Sequence, residues 1–338
     1  MHVRFLSFFL SLPLFIFCVP PPIVFIHIGK KIPHYSEDAI RQAKFFNPDS
    51  NIYFLLNQQA YLDAPYSIEE AGASAVFLEK LPISNHHKKF RSNKLLDSEY
   101  QDGFWTYTSE RFFYLDSFMG ENNLTNVFHL EYDNMLYKNL SEIIPVIEKN
   151  YPGCAATFGF DKIVVPGCIY FADHKASSDL VKFFSNYAHK GWIDMTVLGK
   201  YWAINPNKMA HLPTIPPLYP KFFPLENLNQ ETSRFEDLYS SHFYKFKGIF
   251  DAAAIGQYLG GQNPANGLCF QGYKNPVSLM NLENCQFEWG EDSTQKKIPI
   301  MIINGARIPI YSLHIHSKNL VAFRSDLDLR ISFNFRLP

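Results

Sequence analysis

The sequence predicts an α/β protein with a mixed, mainly parallel sheet flanked by helices, folded as one large domain. This prediction rests on two observations. Short apolar runs alternate with amphipathic segments over the first part of the chain, as in the β-α-β units of a parallel sheet. Apolar residues make up 47% of the 338 residues and charged residues 19%, which is enough apolar material for a sizeable core.

The first 20 residues have the pattern of a targeting segment and are set apart from the predicted domain, residues 21–338. A run of about fifteen mostly apolar residues, from Phe5 to Val19, is short for a membrane-spanning helix but suits a signal peptide. A cleaved leader is the favoured interpretation, and an uncleaved membrane anchor is the alternative. Both predict a protein of the secretory pathway or one associated with a membrane, and anchoring at a cytoplasmic face stays open.

Charge and cysteine content narrow the possible functions. The net charge of −1 indicates no basic surface for nucleic acid. The four cysteines after residue 20 lack the Cys-x-x-Cys spacing of a zinc site. Cys154 with Cys168, and Cys269 with Cys285, are close enough in sequence for two local disulfides in an exported protein. Burial as free thiols is equally consistent with the sequence.

Apolar runs and their breakers predict the order of elements. No Gly-x-Gly-x-x-Gly or P-loop motif is present, so neither a dinucleotide-binding Rossmann unit nor a P-loop is predicted. Residues 205–247 are rich in proline and aromatic residues and are predicted to be a long loop that shapes a ligand pocket. Asn304-Gly305 is a strong hairpin signal. Strands are predicted at 23–28, 51–56, 75–78, 127–130, 154–158, 164–171, 298–303 and 310–315, and helices at 37–46, 68–72, 104–119, 141–149, 178–189 and 251–260.

Two acidic residues follow a short apolar strand in the middle of the chain. Glu131 and Asp133 come directly after residues 127–130, at the carboxyl end of the strand, where ligands bind in open α/β sheets. Carboxylates two residues apart can face the same way and share one divalent ion. Taken alone, such a cluster is more often a solvated strand end.

A second polar strand end comes late in the chain. His314 and His316 are two residues apart on a predicted strand, so their side chains lie on the same side, and Lys318 follows them. Imidazole and carboxylate together are a plausible ligand set for Mn²⁺, and a lysine suits a diphosphate. We expect one histidine to bind the metal and the other to support it, although either one alone is more often an ordinary strand residue.

Together these motifs resemble those of GT-A fold, metal-dependent, nucleotide-sugar glycosyltransferases. Glu131-Tyr132-Asp133 resembles the DxD metal motif with Glu in place of the first Asp, which makes Asp133 the safer ligand. His316-Ser317-Lys318 resembles the late histidine and lysine that bind metal and diphosphate in several such families. The resemblance therefore implies a metal set drawn from Glu131, Asp133, His314 and His316, with Lys318 on the diphosphate.

Other parts of the chain extend the resemblance. Residues 23–28 look like the first nucleotide-binding strand, which implies that Phe25 and His27 lie near the nucleotide. Ser109-Glu110-Arg111-Phe112 resembles the helix before the metal motif, which implies that Arg111 holds ribose or phosphate. Residues 166–171 are similar to the strand whose glycine, here Gly167, lies near the donor sugar.

The implied activity is transfer of a sugar from a nucleoside-diphosphate sugar, UDP-linked in preference to GDP-linked, to a hydroxyl of a glycan, lipid or protein. Mn²⁺ or Mg²⁺ would neutralise the charge that develops on the departing diphosphate. A base for the acceptor hydroxyl would come first from Asp251, whose other possible role is to cap the helix at 251–260. Glu291 and Asp292, with Glu288, are the alternative carboxylates, and Trp289 is a candidate sugar-stacking face.

Two other functions stay open on the sequence alone. A glycoside hydrolase would use paired carboxylates and require neither metal nor nucleotide, but it would leave the late histidine and lysine unexplained. An exported, non-catalytic carbohydrate-binding protein on a degenerate transferase fold agrees with the leader, because nucleotide sugars are not expected outside cells.

Overall fold

The computed structural model of the chain describes residues 19–96, 100, 103–160, 163–228, 236–267 and 270–327. Positions 1–18 of the predicted leader lie outside the described residues, and so does Cys269. Within the described ranges, no helix combines the length and the apolar character needed to cross a membrane.

Strands and helices alternate over the first half of the chain, as predicted. The strands are β1 Ile23–His27, β2 Ile52–Leu56, β3 Ser74–Phe77, β4 Val127–Leu130, β5 Asn134–Leu136, β6 Cys154–Phe160, β7 Ile163–Phe171, β8 Met209–His211, β9 Ile249–Phe250, β10 Gln286–Glu291, β11 Lys297–Ile303 and β12 Ala306–His314. The helices are α1 Ser36–Phe46, α2 Gln58–Leu62, α3 Ile68–Ala71, α4 Asn85–Asn93, α5 Phe104–Glu121, α6 Ile144–Asn150, α7 His174–Tyr187, α8 Asp194–Ile204, α9 Tyr219–Phe222, α10 Glu236–Tyr239, α11 Phe243–Phe246 and α12 Ala254–Gly260.

The described residues form a seven-stranded sheet in the order β3-β2-β1-β4-β7-β6-β8. The pairs β2–β3, β1–β2, β1–β4 and β6–β8 are parallel, whereas β7 runs antiparallel to both of its neighbours. All five residues of β1 are buried, which is the burial expected for a strand covered on both faces. The predicted mixed, mainly parallel α/β sheet is therefore confirmed.

A second sheet has the order β10-β11-β12-β5. The short strand β9 also pairs with β12, in parallel and on the side opposite β5. The predicted hairpin joins β11 to β12 through Asn304 and Gly305, whose φ angles of 46° and 78° are those of a type I′ turn. β5 follows β4 after only three residues, and it pairs antiparallel with β12. The chain thus passes from the first sheet into the second at residues 131–133.

Several elements were not predicted from the sequence. The predicted loop at 205–247 contains β8 and the short helices α9, α10 and α11, and the polar stretch before residue 104 contains α4. These elements are short and weakly periodic. Their stability comes from tertiary pairing, such as that of β8 with β6, which a local pattern does not contain.

Of the two alternatives for Cys154 and Cys168, the local disulfide is not formed. Both residues are free, buried thiols, and Cys154 lies opposite Phe171 in the ladder between β6 and β7. Cys285 is also a free, buried thiol. The alternative prediction, burial as small hydrophobic residues, is confirmed for these three cysteines.

Candidate metal centre

Two carboxylates come together in the short turn between β4 and β5. The turn is held by the bond from Asn134 N to Glu131 O, at 2.9 Å, and Glu131 N donates to Gly167 O at 3.0 Å. The bond to Gly167 anchors the turn to β7. The bond between Asn134 and Glu131 closes the turn at the start of β5. Glu131 and Asp133 consequently face the same space, as their spacing predicted.

His314, the last residue of β12, faces both carboxylates. Its Nε2 lies 3.2 Å from Glu131 Oε2 and 3.1 Å from Asp133 Oδ1. The ligand atoms of the three residues lie within 4.8 Å of one another. Two ligands held at right angles, each about 2.1 Å from an ion of magnesium size, would be about 3.0 Å apart. Two carboxylates and one imidazole in this arrangement therefore fit Mn²⁺ or Mg²⁺.

The second oxygen of each carboxylate is engaged by a cation. Arg111 Nη1 lies 2.5 Å from Glu131 Oε1, and Lys318 Nζ contacts Asp133 Oδ2. Burial opposes ionisation of Asp133, but His314 and Lys318 hold the pKa of its carboxyl well below its usual range. Burial likewise disfavours protonated His314, yet Asp133 and Glu131 raise the pKa of its imidazole. The Asp133 carboxylate thus stays charged.

Arg111, which the resemblance implied would hold ribose or phosphate, contacts two carboxylates in the structure. The side chain is buried on α5, and besides Glu131 it binds Asp194 Oδ2 through Nη2 at 3.0 Å. Burial raises the pKa of Asp194 to about 6, because desolvation outweighs the attraction of Arg111. With both ends of its guanidinium engaged, Arg111 is placed to orient Glu131, and its predicted contact with ribose or phosphate stays a prediction.

The structure brings His314 to the carboxylates and places His316 beside it. The two rings are 4.5 Å apart, and His316 Nδ1 contacts Gln257 Nε2 at 2.9 Å. Burial lowers the pKa of His316 to about 3, so this imidazole is neutral. Of the two predicted histidine ligands, His314 has the geometry of a ligand and His316 that of a supporting residue.

Asp251 is fully engaged with backbone amides. Its Oδ1 accepts from Ile255 N at 2.9 Å, and its Oδ2 accepts from Gly256 N at 2.7 Å and from His314 N at 3.0 Å. The side chain is 1% exposed. The helix-capping role is therefore realised, and it also ties α12 to the metal-facing end of β12. A role for Asp251 as the base stays a prediction.

Glu288 and Glu291 belong to the outer strand β10, which is separated from β12 by β11, and Asp292 directly follows that strand. Glu291 is exposed there, and Asp292 binds the turn that follows, accepting from Thr294 N at 2.8 Å. Glu288 pairs with Arg307, and Trp289 packs edge-on against Tyr137 at 5.9 Å. The structure thus gives Glu291 and Asp292 local roles in this sheet and does not join them to the three-residue cluster.

The residues predicted to meet the nucleotide lie on the strands beneath the cluster. Phe25 is fully buried and packs against Phe54, so its side chain is part of the core. His27, at the carboxyl end of β1, contacts the Tyr132 hydroxyl at 3.3 Å, and burial lowers its pKa to about 4. At Gly167, a Cβ atom would lie 2.9 Å from His314 Nδ1, so the glycine allows the metal-facing ring to pack closely.

Three residues around the centre were missed by the sequence reasoning. Asp194, Gln257 and Asn134 contact or adjoin the predicted residues from α8, α12 and β5. No local signal marks Asp194 or Gln257, because each is an ordinary polar residue on a helix. Asn134 directly follows the acidic motif, and this adjacency was the one available signal.

No family model matches the sequence, and no curated protein matches it. The structure is similar to mouse xyloside xylosyltransferase 1 in its apo form, with 9% identity and a TM-score of 0.40 over 65% of this chain and 93% of that chain.

Two further transferases show similar likenesses. The galactosyltransferase LgtC, in complex with donor and acceptor sugar analogs, has 11% identity and a TM-score of 0.34 over 60% of this chain and 77% of that chain. GlyE of Streptococcus pneumoniae TIGR4 has 16% identity and a TM-score of 0.35 over 58% of this chain and 45% of that chain. Likenesses of this size do not establish a shared activity.

Proposed function

We propose that the protein is a metal-dependent glycosyltransferase that moves a sugar from a nucleoside-diphosphate sugar to a hydroxyl of a glycan, lipid or protein. The observation that carries this proposal is the convergence of Glu131, Asp133 and His314 at the carboxyl end of β4. The motif resemblance of residues 131–133 and 316–318 supports the choice of a nucleotide sugar as donor.

Glu131, Asp133 and His314 would hold Mn²⁺ or Mg²⁺. The ion would act as a Lewis acid that neutralises the charge on the departing diphosphate. The protein's own contribution would be to keep Asp133 ionised and to orient Glu131 and the imidazole by the contacts already described. Arg111 and Lys318 each hold one carboxylate oxygen, which leaves the other oxygen directed at His314 Nε2.

Lys318 would serve the diphosphate as well as Asp133. The residue has a left-handed backbone, with a φ of 63°, and its Nζ lies 5.5 Å from the centre of the Tyr35 ring. Its side chain is 25% exposed, so the ammonium is accessible from outside the cluster. A lysine at the rim of the site adds positive charge for phosphate oxygens without being buried.

The acceptor would bind near Asp251. Thr214 and Ile215, from the predicted pocket-shaping stretch, line a small cavity together with Asp251 and residues 278–280. A base drawn from Asp251 would have to give up backbone bonds in order to take a proton, so the proposal does not depend on it.

The proposal is tested by calorimetric titration of the purified protein with UDP and GDP, with and without Mn²⁺. We expect UDP to bind in a Mn²⁺-dependent manner and Asp133→Ala to weaken that binding by about 100-fold or more. Asp179→Ala is the matched control, because Asp179 pairs only with the surface residues Lys175 and Lys208 in the described structure. Nucleotide affinity that is the same with and without Mn²⁺, or that is unchanged in Asp133→Ala, would contradict the proposal.

A further inference from the structure

Asn134 is the first residue of β5 and is fully buried beside the metal centre. Neither its Nδ2 nor its Oδ1 has a hydrogen-bond partner among the described residues. Buried carboxamides normally satisfy both groups, since an unpaired buried polar group is costly. A side chain of this kind next to a functional centre points to a role there.

The sheet places Asn134 directly opposite His314. The neighbouring bond, from Ile315 N to Asp133 O at 2.8 Å, belongs to the adjacent residue pair. Asn134 and His314 therefore form a pair without backbone hydrogen bonds between them, the kind in which Cα atoms are only about 4.5 Å apart and side chains are closest. Both side chains lie on the same face of the second sheet.

The two side chains meet across Gly167 of β7. A Cβ atom on this glycine would lie 2.7 Å from Asn134 Nδ2 and 2.9 Å from His314 Nδ1. Nδ1 of His314 is buried and has no partner among the described residues, whereas Nε2 faces Glu131 and Asp133. Two unpaired polar groups are thus within reach of each other by a small rotation or through one water molecule.

We propose that Asn134 is the positioning residue of His314: its carboxamide hydrogen-bonds Nδ1 and so directs Nε2 at the ion. This inference rests on the proposed metal centre. A metal-bound Nε2 carries no proton, so Nδ1–H donates to Oδ1 of Asn134. A carboxamide presents either oxygen or nitrogen when it turns by 180°, so the same side chain also serves the metal-free tautomer, in which Nδ1 accepts. Metal-binding histidines generally hold their other ring nitrogen in this way.

The test measures Mn²⁺ affinity from the electron paramagnetic resonance signal of free Mn²⁺. Asn134→Leu removes both polar groups at similar volume, and we expect it to weaken Mn²⁺ binding by roughly 10- to 100-fold. Asn134→Asp keeps an acceptor oxygen and should stay near the wild-type affinity. Ser312→Ala is the control, because it removes another unpaired buried polar group two residues before His314 on the same strand face, and it should leave affinity unchanged.

Two further measurements separate positioning from folding. Thermal unfolding without metal should show Asn134→Leu at or above the wild-type midpoint, because unpaired polar groups have been removed. In ¹⁵N-histidine spectra of the wild-type protein with Zn²⁺, the His314 ring should carry its proton on Nδ1. A proton on Nε2 instead would overturn the proposal without recourse to any variant.

The outcomes distinguish this inference from the proposed function. Unchanged Mn²⁺ affinity in Asn134→Leu, or an equal loss in Ser312→Ala, would overturn the positioning role and leave the metal centre intact. A wild-type protein that binds no Mn²⁺ would overturn the metal centre and, with it, the role of Asn134.

Discussion

Arg111 lies between two carboxylates, Glu131 at the metal centre and Asp194 on α8. Its side chain is 8% exposed, so the three charges are largely removed from water. A buried charge network of this kind gains little net stability, but removing its central cation leaves two carboxylates uncompensated. Arg111 is not one of the three candidate ligands, but its contact with Glu131 determines where that carboxylate points.

Arg111→Met is expected to weaken Mn²⁺ binding by roughly 10- to 100-fold, because Glu131 loses the group that orients it. The substitution should also lower the free energy of unfolding by about 3–5 kcal/mol. Mn²⁺ titration and urea unfolding measure the two effects. Arg91→Met provides the comparison, since it deprives buried Glu110, also on α5, of a partner and should reduce stability without altering Mn²⁺ affinity.

At the scale of elements, α12 and β12 are joined through one side chain. Asp251 binds two amides at the start of α12 and the amide of His314 at the end of β12. The elements pack so closely that a Cβ atom on Gly256 would lie 2.1 Å from His314 O. The position of the metal-facing histidine along its strand therefore depends on the helix that follows β9.

Asp251→Asn is expected to lower the free energy of unfolding by about 1–3 kcal/mol, because an amide group replaces one of the accepting oxygens and leaves a buried N–H unpaired. Chemical denaturation measures this change. An intact stability combined with complete loss of sugar transfer would instead favour the catalytic role for Asp251. Asp292→Asn, which changes a turn carboxylate on the outer strand, should leave sugar transfer unaffected.

At the scale of the whole molecule, the core contains histidines whose buried imidazole rings stay neutral. Burial lowers the pKa of His211 to about 3, and its ring stacks on Phe158 with centroids 3.5 Å apart. Burial also lowers the pKa of His129 to about 3 and that of His27 to about 4. An unfolded chain protonates these rings near the ordinary value of 6.5, so acid favours the unfolded state.

The sign of the pH dependence follows from those shifts. A histidine with a depressed folded pKa costs no stability above about pH 6.5, and stability is lost as the pH falls from there toward the folded pKa. Each such histidine is expected to lower the free energy of unfolding by about 2 kcal/mol between pH 7.5 and 5. Urea unfolding over this range should show that loss.

His211→Phe should reduce by one the number of protons that the protein takes up on unfolding in acid, since the variant has no ring nitrogen to protonate in the unfolded state. The free energy of unfolding should then depend less steeply on pH. His189→Phe, at an exposed position, should leave the slope as in the wild-type protein. A slope that is the same in His211→Phe and in the wild type would contradict the assignment of His211 as a neutral, buried ring.

The local pattern of the sequence was sufficient for several of the long elements and for the acidic motif, although it missed α8. The strand predicted at 23–28 is found at Ile23–His27, and the helix predicted at 104–119 is found at Phe104–Glu121. Their apolar periodicity is a property of neighbouring residues and does not depend on distant partners. The same holds for Glu131 and Asp133, whose two-residue spacing makes them face one way in a short turn.

Tertiary structure alone decided which residues complete the centre. The pairing of β5 with β12 brings His314, and not His316, to carboxylates that lie far from it in sequence. Burial and charge pairing turned Arg111 toward Glu131 and Asp194, and placed Glu291 and Asp292 on a separate edge. Strand register and the partners of a buried charge are set by long-range packing, so no stretch of sequence read by itself contains them.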